Sequence, residues 1–160
     1  MKEVKIETVF EVFEDKSELP KEVLELLQHA SVARKRAYAP YSKFLVGAAL
    51  LLDNGEIITG NNQENASYPS GLCAERTAIF YAHSQFPNAT IKIIALTAGA
   101  ENQVTTTPIP PCGACRQAIS EYEIKQDAPI AIYFMGTEGK IIKSESMANL
   151  FPLGFDRSFL

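Results

Sequence analysis

The chain has 160 residues, a formal net charge of −4 at pH 7 and 46% hydrophobic residues. The mild negative charge argues against a surface built to bind nucleic acid, no apolar run is long enough to cross a bilayer, and the N-terminus lacks the pattern of a secretory signal. Only three cysteines occur, two of them as C-x-x-C, which argues against a disulfide scaffold and for a reducing compartment. We therefore expect one cytoplasmic domain over residues 1–160.

The N-terminal part of the chain predicts a strand followed by a long helix. Residues 4–13 mix charged with β-branched and aromatic side chains, which favours a strand. Ser17 offers an N-cap, and apolar residues from Val23 to Tyr38 recur at helical spacing, which predicts a helix that continues to Tyr38 and ends before Pro40. Residues 1–16 have no assigned role and are expected to form either an added edge strand or a packing arm.

Two apolar runs on either side of a turn predict an antiparallel hairpin. The runs cover residues 43–52 and 56–60, and Asn54-Gly55 lies between them. An Asn-Gly pair in this position is the strongest short-range signal for a hairpin. The polar residues 61–71 that follow predict a loop.

The second half of the chain predicts helices that alternate with strands. The predicted helices cover residues 73–83, 112–122 and 144–150, and the predicted strands cover residues 91–98, 130–135 and 140–143. Residues 136–139 are the only connection between the last two strands. A parallel crossover needs about a dozen residues or more, so this pair is expected to be antiparallel.

All three cysteines lie at the predicted starts of two helices. Cys73 opens one helix, while Cys112 and Cys115 open the other and share one face because they are three residues apart. Helix N-termini favour thiolate over thiol, and thiolates bind zinc. Tetrahedral zinc takes four ligands, so three cysteines predict a metal site with one position left for water.

Charged residues next to the cysteines suggest hydrolytic chemistry. Glu75 follows Cys73 by two residues and is placed to accept and return protons without binding the metal. Three thiolates and a dication sum to a net negative charge, so a positive charge nearby would restore the Lewis acidity of the metal. Arg76 and Arg116 are adjacent to cysteines in the sequence and are the candidates for this compensation.

Five motifs occur in order between residues 23 and 155. They are YAPYSKF (38–44), VGAA (46–49), NQENA (62–66), CAERTA (73–78) and PCGACRQ (111–117). A C-x-E segment upstream of P-C-x-x-C is the three-cysteine form of the zinc deaminase signature. With all five motifs present, the sequence resembles the small homotetrameric cytidine deaminases.

This resemblance implies a zinc enzyme with a known type of chemistry. Cys73, Cys112 and Cys115 would hold one Zn2+ per subunit, with a zinc-bound hydroxide as the nucleophile and Glu75 as the proton shuttle. The reaction would be hydrolytic deamination of cytidine and/or deoxycytidine to the uracil nucleoside and ammonia, in pyrimidine salvage. The expected fold is a three-layer α/β/α sandwich with a mixed five-stranded sheet, to which residues 1–16 could add a strand.

The resemblance also implies contacts with a nucleoside substrate. Asn62 and Glu64 would hold the ribose 3′-hydroxyl, and Phe44 would line the nucleoside pocket. The backbone near Ala66 and Ala74 would contact the base. Tyr38, Tyr41 and Tyr68, outside this set, are expected only to pack.

The C-terminal end of the chain implies an active site shared between subunits. In the family, a phenylalanine near the C-terminus reaches the cytosine bound by a neighbouring subunit, and Phe155 occupies the corresponding place in a loosely matching L-x-P-x-x-F element. The expected assembly is therefore a homotetramer, with a small-molecule nucleoside as partner and with neither nucleic acid nor membrane involved.

Other functions remain open at this point. A thiol redox protein could use Cys112 and Cys115, but this would leave Cys73 and Glu75 unexplained. A nucleic-acid editing deaminase would need a basic approach surface, which the net charge opposes. A blasticidin-type deaminase is a closer alternative, because it would keep the same core and differ in its substrate.

Overall fold

The computed structural model describes residues 1–160 and contains six strands and four α-helices. The strands are β1 (Glu11–Phe13), β2 (Phe44–Leu52), β3 (Ile57–Asn61), β4 (Ile91–Ala100), β5 (Ala131–Met135) and β6 (Ile141–Ser144). The helices are α1 (Lys21–Arg34), α2 (Ala74–Gln85), α3 (Gly113–Gln126) and α4 (Met147–Leu150). Short 3-10 turns cover Lys16–Glu18, Tyr68–Ser70 and Arg157–Phe159.

The strands form one mixed sheet in the order β1-β6-β5-β4-β2-β3. The two predicted hairpins, β2–β3 and β5–β6, are antiparallel as expected, and only β4 and β5 are parallel. β1 adds the sixth strand by pairing with β6 through the register Glu11↔Lys143 to Phe13↔Ile141. The expected five-stranded mixed sheet with an extra N-terminal strand is confirmed.

The sheet is covered by helices on both faces, because consecutive strand side chains point to opposite sides. In β2, Ala48, Leu50 and Leu52 belong to a buried cluster that also contains residues of α2, α3 and α4. The alternate residues Ala49 and Leu51 belong to a second cluster with the apolar residues of α1. The predicted three-layer α/β/α arrangement is therefore present, with α1 alone on one face.

Both ends of α1 differ from the prediction. The helix begins at Lys21 after Pro20, whose fixed φ suits a helix start, whereas the Asp15 carboxylate accepts the Ser17 amide at 2.7 Å and opens a separate 3-10 turn. Ser17 is therefore not the N-cap. The helix also ends at Arg34, because the Tyr38 backbone pairs with the segment after β3 instead of continuing the helix.

The other boundaries shift by a few residues. β6 extends through Ser144, which was expected to begin the last helix. That helix, α4, is only four residues long and begins after Ser146, whose hydroxyl accepts the Asn149 amide at 3.1 Å. At the N-terminus, only residues 11–13 of the predicted strand pair with the sheet.

The parallel pair β4 and β5 determines where the functional helices begin. Each strand follows a helix through a short connection, α2 before β4 and α3 before β5. Because the two strands are parallel and both helices lie on the same face, the starts of α2 and α3 lie near the same edge, at the carboxyl ends of the strands. This edge is where α/β sheets usually bind ligands.

Gly60 of β3 allows α2 to lie close against the sheet. A β-carbon at this position would come within 2.5 Å of the Ala74 carbonyl oxygen and 2.6 Å of the Ala78 amide nitrogen. Both atoms are backbone, so the helix itself would have to move. The first turn of α2, which carries Cys73 and Glu75, is thus positioned by the absence of a side chain on β3.

We predict that Gly60→Ala lowers the free energy of unfolding by about 1–3 kcal/mol, the usual cost of overpacking a core. Urea unfolding of the purified variant measures this change. Gly113→Ala is the matched control, because a β-carbon there meets no atom within 4 Å and alanine is the better helix former. Equal stability of Gly60→Ala and the wild-type protein would show that α2 is not held this closely.

Candidate active site

The three cysteines converge as predicted. Cys73 caps the N-terminus of α2, Cys112 caps α3, and Cys115 lies in the first turn of α3. Their sulfur atoms all lie within 4.8 Å of one another, and the Cys73 and Cys112 sulfurs are 3.9 Å apart. All three are free thiols with no disulfide between them. The cluster comes from residues 39 positions apart in the chain, so it is produced by the fold.

The geometry of this cluster suits a zinc ion. Two sulfurs bound to tetrahedral zinc at about 2.3 Å are separated by about 3.8 Å, close to the Cys73–Cys112 distance of 3.9 Å. Three cysteines supply three of the four ligands that zinc takes. Cys115 is fully buried, whereas Cys73 and Cys112 line a cavity. A metal held here would therefore be reached from that cavity.

Negative charge at the cluster is concentrated on Cys73. The Cys73 sulfur lies 3.9 Å from a terminal nitrogen of Arg76. A hydrogen bond from the Cys115 thiol and, next among the stabilising contacts, one from Arg76 lower the pKa of Cys73 to about 5. That same hydrogen bond and burial raise the pKa of Cys115. In the metal-free protein, Cys115 therefore keeps its proton while Cys73 is a thiolate.

Only one of the two predicted compensating arginines contacts a sulfur. Arg76 lies against Cys73, in agreement with its expected place. Arg116 instead donates from Nε to the Pro111 carbonyl at 2.9 Å and from Nη1 to the Leu150 carbonyl at 2.8 Å. Its guanidinium is directed to the backbone on both sides of it.

Glu75 is a buried carboxyl group that faces the cavity. It is the second residue of α2, only 4% of it is exposed, and it lines the cavity together with Cys73 and Cys112. Burial is the main reason that its pKa is raised, and the negative charge on Cys73 raises it further. A carboxyl group in this environment holds a proton more readily than one in water.

The cavity has a volume of about 680 Å³ and brings together three of the six residues predicted to contact the substrate. Phe44, Asn62 and Glu64 line it together with Cys73, Glu75 and Cys112. The remaining walls are mostly apolar and include Val46, Leu72, Leu96, Ala98, Ile109 and Pro110. This volume lies within the usual range of about 300–1,000 Å³ for small-molecule sites.

Asn62 and Glu64 also shape the loop that leads into β2. The Asn62 side chain accepts the Val46 amide at 2.8 Å and donates to the Phe44 carbonyl at 2.9 Å. The Glu64 carboxylate accepts the Tyr41 amide at 2.9 Å and also the Ser42 hydroxyl. These hydrogen bonds give the cavity wall a defined backbone conformation.

Besides Cys115, four predicted residues lie outside the cavity lining. Ala74 is fully buried at the start of α2, and Ala66 lies in the loop before the 3-10 turn. Arg116 donates to the Pro111 carbonyl, as described above. Phe155 is 57% exposed near the C-terminus and stacks on Phe159 with a centroid distance of 5.6 Å. Within one chain, Phe155 therefore does not form part of the cavity.

Two tyrosines that were expected only to pack prove to line the cavity. Tyr41 and Tyr68 are largely exposed, and their rings lie 6.1 Å apart at its mouth. Tyr68 lies on the loop between β3 and α2, where its spacing gave no signal. Tyr41 could have been recognised, because it lies in the same short motif as Phe44 and next to Ser42.

Comparison with known proteins gives a family for this fold and site. The chain is 42% identical to a cytidine deaminase of Halalkalibacterium halodurans over 130 residues, which span 81% of this chain and 91% of that protein. It is 40% identical to a cytidine deaminase of Sporosarcina psychrophila over 139 residues, which span 87% and 95% of the two chains. A crystal structure of cytidine deaminase from Burkholderia pseudomallei superposes with a TM-score of 0.72 at 36% identity, covering 86% of this chain and all of that one.

The fold and the cysteine cluster together define a zinc-binding deaminase domain. Residues 20–128 match the family model for the cytidine and deoxycytidylate deaminase zinc-binding region. The chain belongs to this family, as the sequence motifs indicated, and its cysteine cluster is suited to the zinc ion for which the region is named. None of its helices has both the length and the apolar character needed to cross a membrane.

We predict that Arg76→Gln raises the pKa of Cys73 in the metal-free protein, because the variant loses the positive charge 3.9 Å from the sulfur. The rate of Cys73 alkylation as a function of pH measures this change, and its midpoint should move upward from about 5. Arg36→Gln, which changes an exposed arginine, is the control. An unchanged midpoint in Arg76→Gln would show that the helix terminus and Cys115 alone lower the pKa of Cys73.

Proposed function

We propose that the protein catalyses the hydrolytic deamination of cytidine and/or deoxycytidine to uridine or deoxyuridine and ammonia. The observation that carries this proposal is the position of the buried Glu75 on the wall of a nucleoside-sized cavity that also reaches Cys73 and Cys112. The cytidine deaminases that resemble the chain over most of their length support the same reaction. A redox role for Cys112 and Cys115 would leave the buried Glu75 and the cavity unexplained.

Cys73, Cys112 and Cys115 would hold the zinc ion. When bound at such a site, zinc activates water as a nucleophile and acts as a Lewis acid. Arg76 would stabilise the negative charge that the thiolates retain, since it already lies against Cys73. The first turns of α2 and α3 would add to this stabilisation through their unpaired backbone N–H groups.

Glu75 would carry both protons of the reaction. Its raised pKa suits a group that accepts a proton from the attacking water and passes it to ring nitrogen N3, which makes C4 more electrophilic. After the water oxygen has bonded to C4, Glu75 would take the second proton from the new C4 hydroxyl group and deliver it to the exocyclic amine. The C4–N bond then breaks, ammonia leaves, and a uracil ring remains. Burial keeps the carboxyl group away from bulk water during both transfers.

The remaining cavity residues would position the nucleoside. We assign Phe44 to the wall beside the base, Asn62 and Glu64 to the ribose 3′-hydroxyl, and the backbone at Ala66 and Ala74 to the base. Arg76 is the one cationic side chain on the cavity wall, and it is engaged with Cys73. A nucleoside, which carries no phosphate, fits this lining better than a nucleotide or a nucleic acid.

The same chemistry bears on the compartment and the metabolic role of the protein. We propose that residues 1–160 form one deaminase domain, and that it works in the cytoplasm, where reducing conditions keep three metal-binding thiols free. Its product is a nucleoside of the pyrimidine class, which suits a role in pyrimidine salvage. The N-terminal residues before the matched region contribute β1 to the edge of the sheet.

We predict that Glu75→Gln retains zinc and the native fold but loses at least about 100-fold in cytidine turnover, because glutamine cannot exchange protons at this position. Ammonia release, zinc content and circular dichroism of the purified variant measure the three properties. Glu138→Gln, on the turn before β6, is the matched control and should keep full activity. Near-native turnover by Glu75→Gln would remove Glu75 from the mechanism.

Turnover of several cytosine-containing compounds by the wild-type protein tests the substrate class. Cytidine and deoxycytidine should be turned over, whereas blasticidin S and cytosine in single-stranded oligonucleotides should not. Preferred turnover of blasticidin S would place the protein with the blasticidin-type enzymes instead. Activity on oligonucleotides would favour an editing deaminase, and low zinc content with a cycling dithiol would favour a redox protein.

We propose a homotetramer in which Phe155 completes the site of a neighbouring subunit. The C-terminal segment carries exposed apolar side chains, namely Leu153, Phe155, Phe159 and Leu160. Such a group of apolar residues is a frequent sign of a protein contact. Phe155 is absent from the cavity of its own chain, which agrees with a role in another subunit.

We predict that Phe155→Ala and Glu75→Gln, each nearly inactive alone, regain activity when the two proteins are unfolded, mixed and refolded. Mixed tetramers would contain some sites with both an intact Glu75 and an intact Phe155. Cytidine turnover of the mixture, compared with each variant refolded alone, measures the effect, and native mass spectrometry checks the assembly. A mixture no more active than its components would contradict a shared site.

A further inference from the structure

Arg116 links two segments that are far apart in the sequence. Its Nε donates to the Pro111 carbonyl at 2.9 Å and its Nη1 donates to the Leu150 carbonyl at 2.8 Å. Pro111 directly precedes the cysteine that caps α3, and Leu150 is the last residue of α4. One guanidinium group therefore joins the metal-binding loop to the C-terminal helix.

The loop held by Arg116 serves both the metal site and the cavity. Cys112 is the most exposed of the three cysteines and lies at the junction between the loop and α3. Ile109 and Pro110, just before it, form part of the cavity wall. Cys115 lies in the buried first turn of α3, whereas Cys112 is the N-cap residue, and its position depends also on the loop before it.

The other end of the link is firmly anchored. Glu123 of α3 accepts the Met147 amide at 2.7 Å and the Ala148 amide at 2.9 Å, so its carboxylate binds the N-terminus of α4. Met147 and Leu150 are buried in the main apolar cluster. The Leu150 carbonyl is therefore a fixed point from which Arg116 can hold the loop.

We propose that Arg116 is a positioning residue, which uses the fixed end of α4 to hold the loop before α3 and thereby keeps the Cys112 sulfur at the metal site. This role is distinct from the expected compensation of thiolate charge. It rests on the zinc site of the proposed function. The planar guanidinium of Arg116 holds its donors in fixed directions and can bond both carbonyls at once. A lysine ammonium is one compact charge and cannot reproduce that geometry.

The experiment compares the rate of zinc release from Arg116→Lys and the wild-type protein into excess chelator, without nucleoside. Lysine keeps the positive charge but cannot reach both carbonyls in the same way, so release should be about tenfold faster or more, the usual effect of losing an outer partner of a metal site. The KM for cytidine should also rise, because Ile109 and Pro110 lose their support. Arg36→Lys, at an exposed arginine, is the matched control and should match the wild-type rate.

If Arg116→Lys released zinc at the wild-type rate, the proposal would be overturned, since a positive charge at this position would then be enough to keep Cys112 in place. Near-ultraviolet circular dichroism establishes that the variants compared are folded. Glu123→Gln tests the link from its other end: it should also speed zinc release, and its effect should be less than additive with Arg116→Lys because both act through α4. If Arg116→Lys does not fold, unchanged release from Glu123→Gln overturns the proposal. Zinc content and turnover of the wild-type protein test the proposed function separately.

Discussion

Three sulfurs within 4.8 Å of one another can carry negative charge only if the protein opposes their repulsion. Two unit charges about 4 Å apart repel by about 4 kcal/mol near a protein surface. The chain opposes this with the N-termini of α2 and α3, each equivalent to about half a positive charge, and with Arg76. Without metal these are not enough for all three sulfurs, and Cys115 retains its proton. A dication would relieve this conflict, which explains why the cluster suits metal better than free thiolates.

The sheet brings every part of the site to one edge. The parallel strands β4 and β5 place the starts of α2 and α3 together at their carboxyl ends. β2 runs antiparallel to β4, so Phe44 at its start pairs with Ala100 at the end of β4. The end of β3 pairs beside it through Asn61↔Gly47, and Asn62 follows directly. The metal site and the walls of the cavity are thus consequences of strand direction, and no separate structure is needed to bring them together.

Much of this arrangement could be predicted from the sequence, because local signals and the fold agree there. The Asn54-Gly55 turn and the short connection before β6 determined two antiparallel pairs, and the cysteine spacing placed all three ligands at helix starts. Prediction failed where distant segments decide the outcome. The helical pattern of α1 continues past Arg34, but the Tyr38 backbone pairs with a segment more than 20 residues later and ends the helix.

The same limit applies to the contacts of Arg116. Its adjacency to Cys115 suggested a charge effect, and no sequence signal shows that its donors are directed to the Pro111 and Leu150 carbonyls, the second of which lies 34 residues away. Tyr68 joined the cavity for a similar reason, because the loop that carries it folds back against Tyr41. Residue types predict what a side chain can do, whereas long-range contacts determine which of those abilities is used.

The loop before β2 shows how the cavity gains its order before any ligand binds. Lys43 has a φ of +56°, a conformation that costs a non-glycine residue about 1–3 kcal/mol. The Glu64 carboxylate holds the loop and the Asn62 amide holds the first residues of β2, and the same two groups are proposed to contact the ribose. Asn62 has a second amide hydrogen and Glu64 has further acceptor sites, so both can add a ligand contact without releasing the loop. Because the loop is already ordered, a nucleoside that binds there does not bear the entropic cost of ordering it.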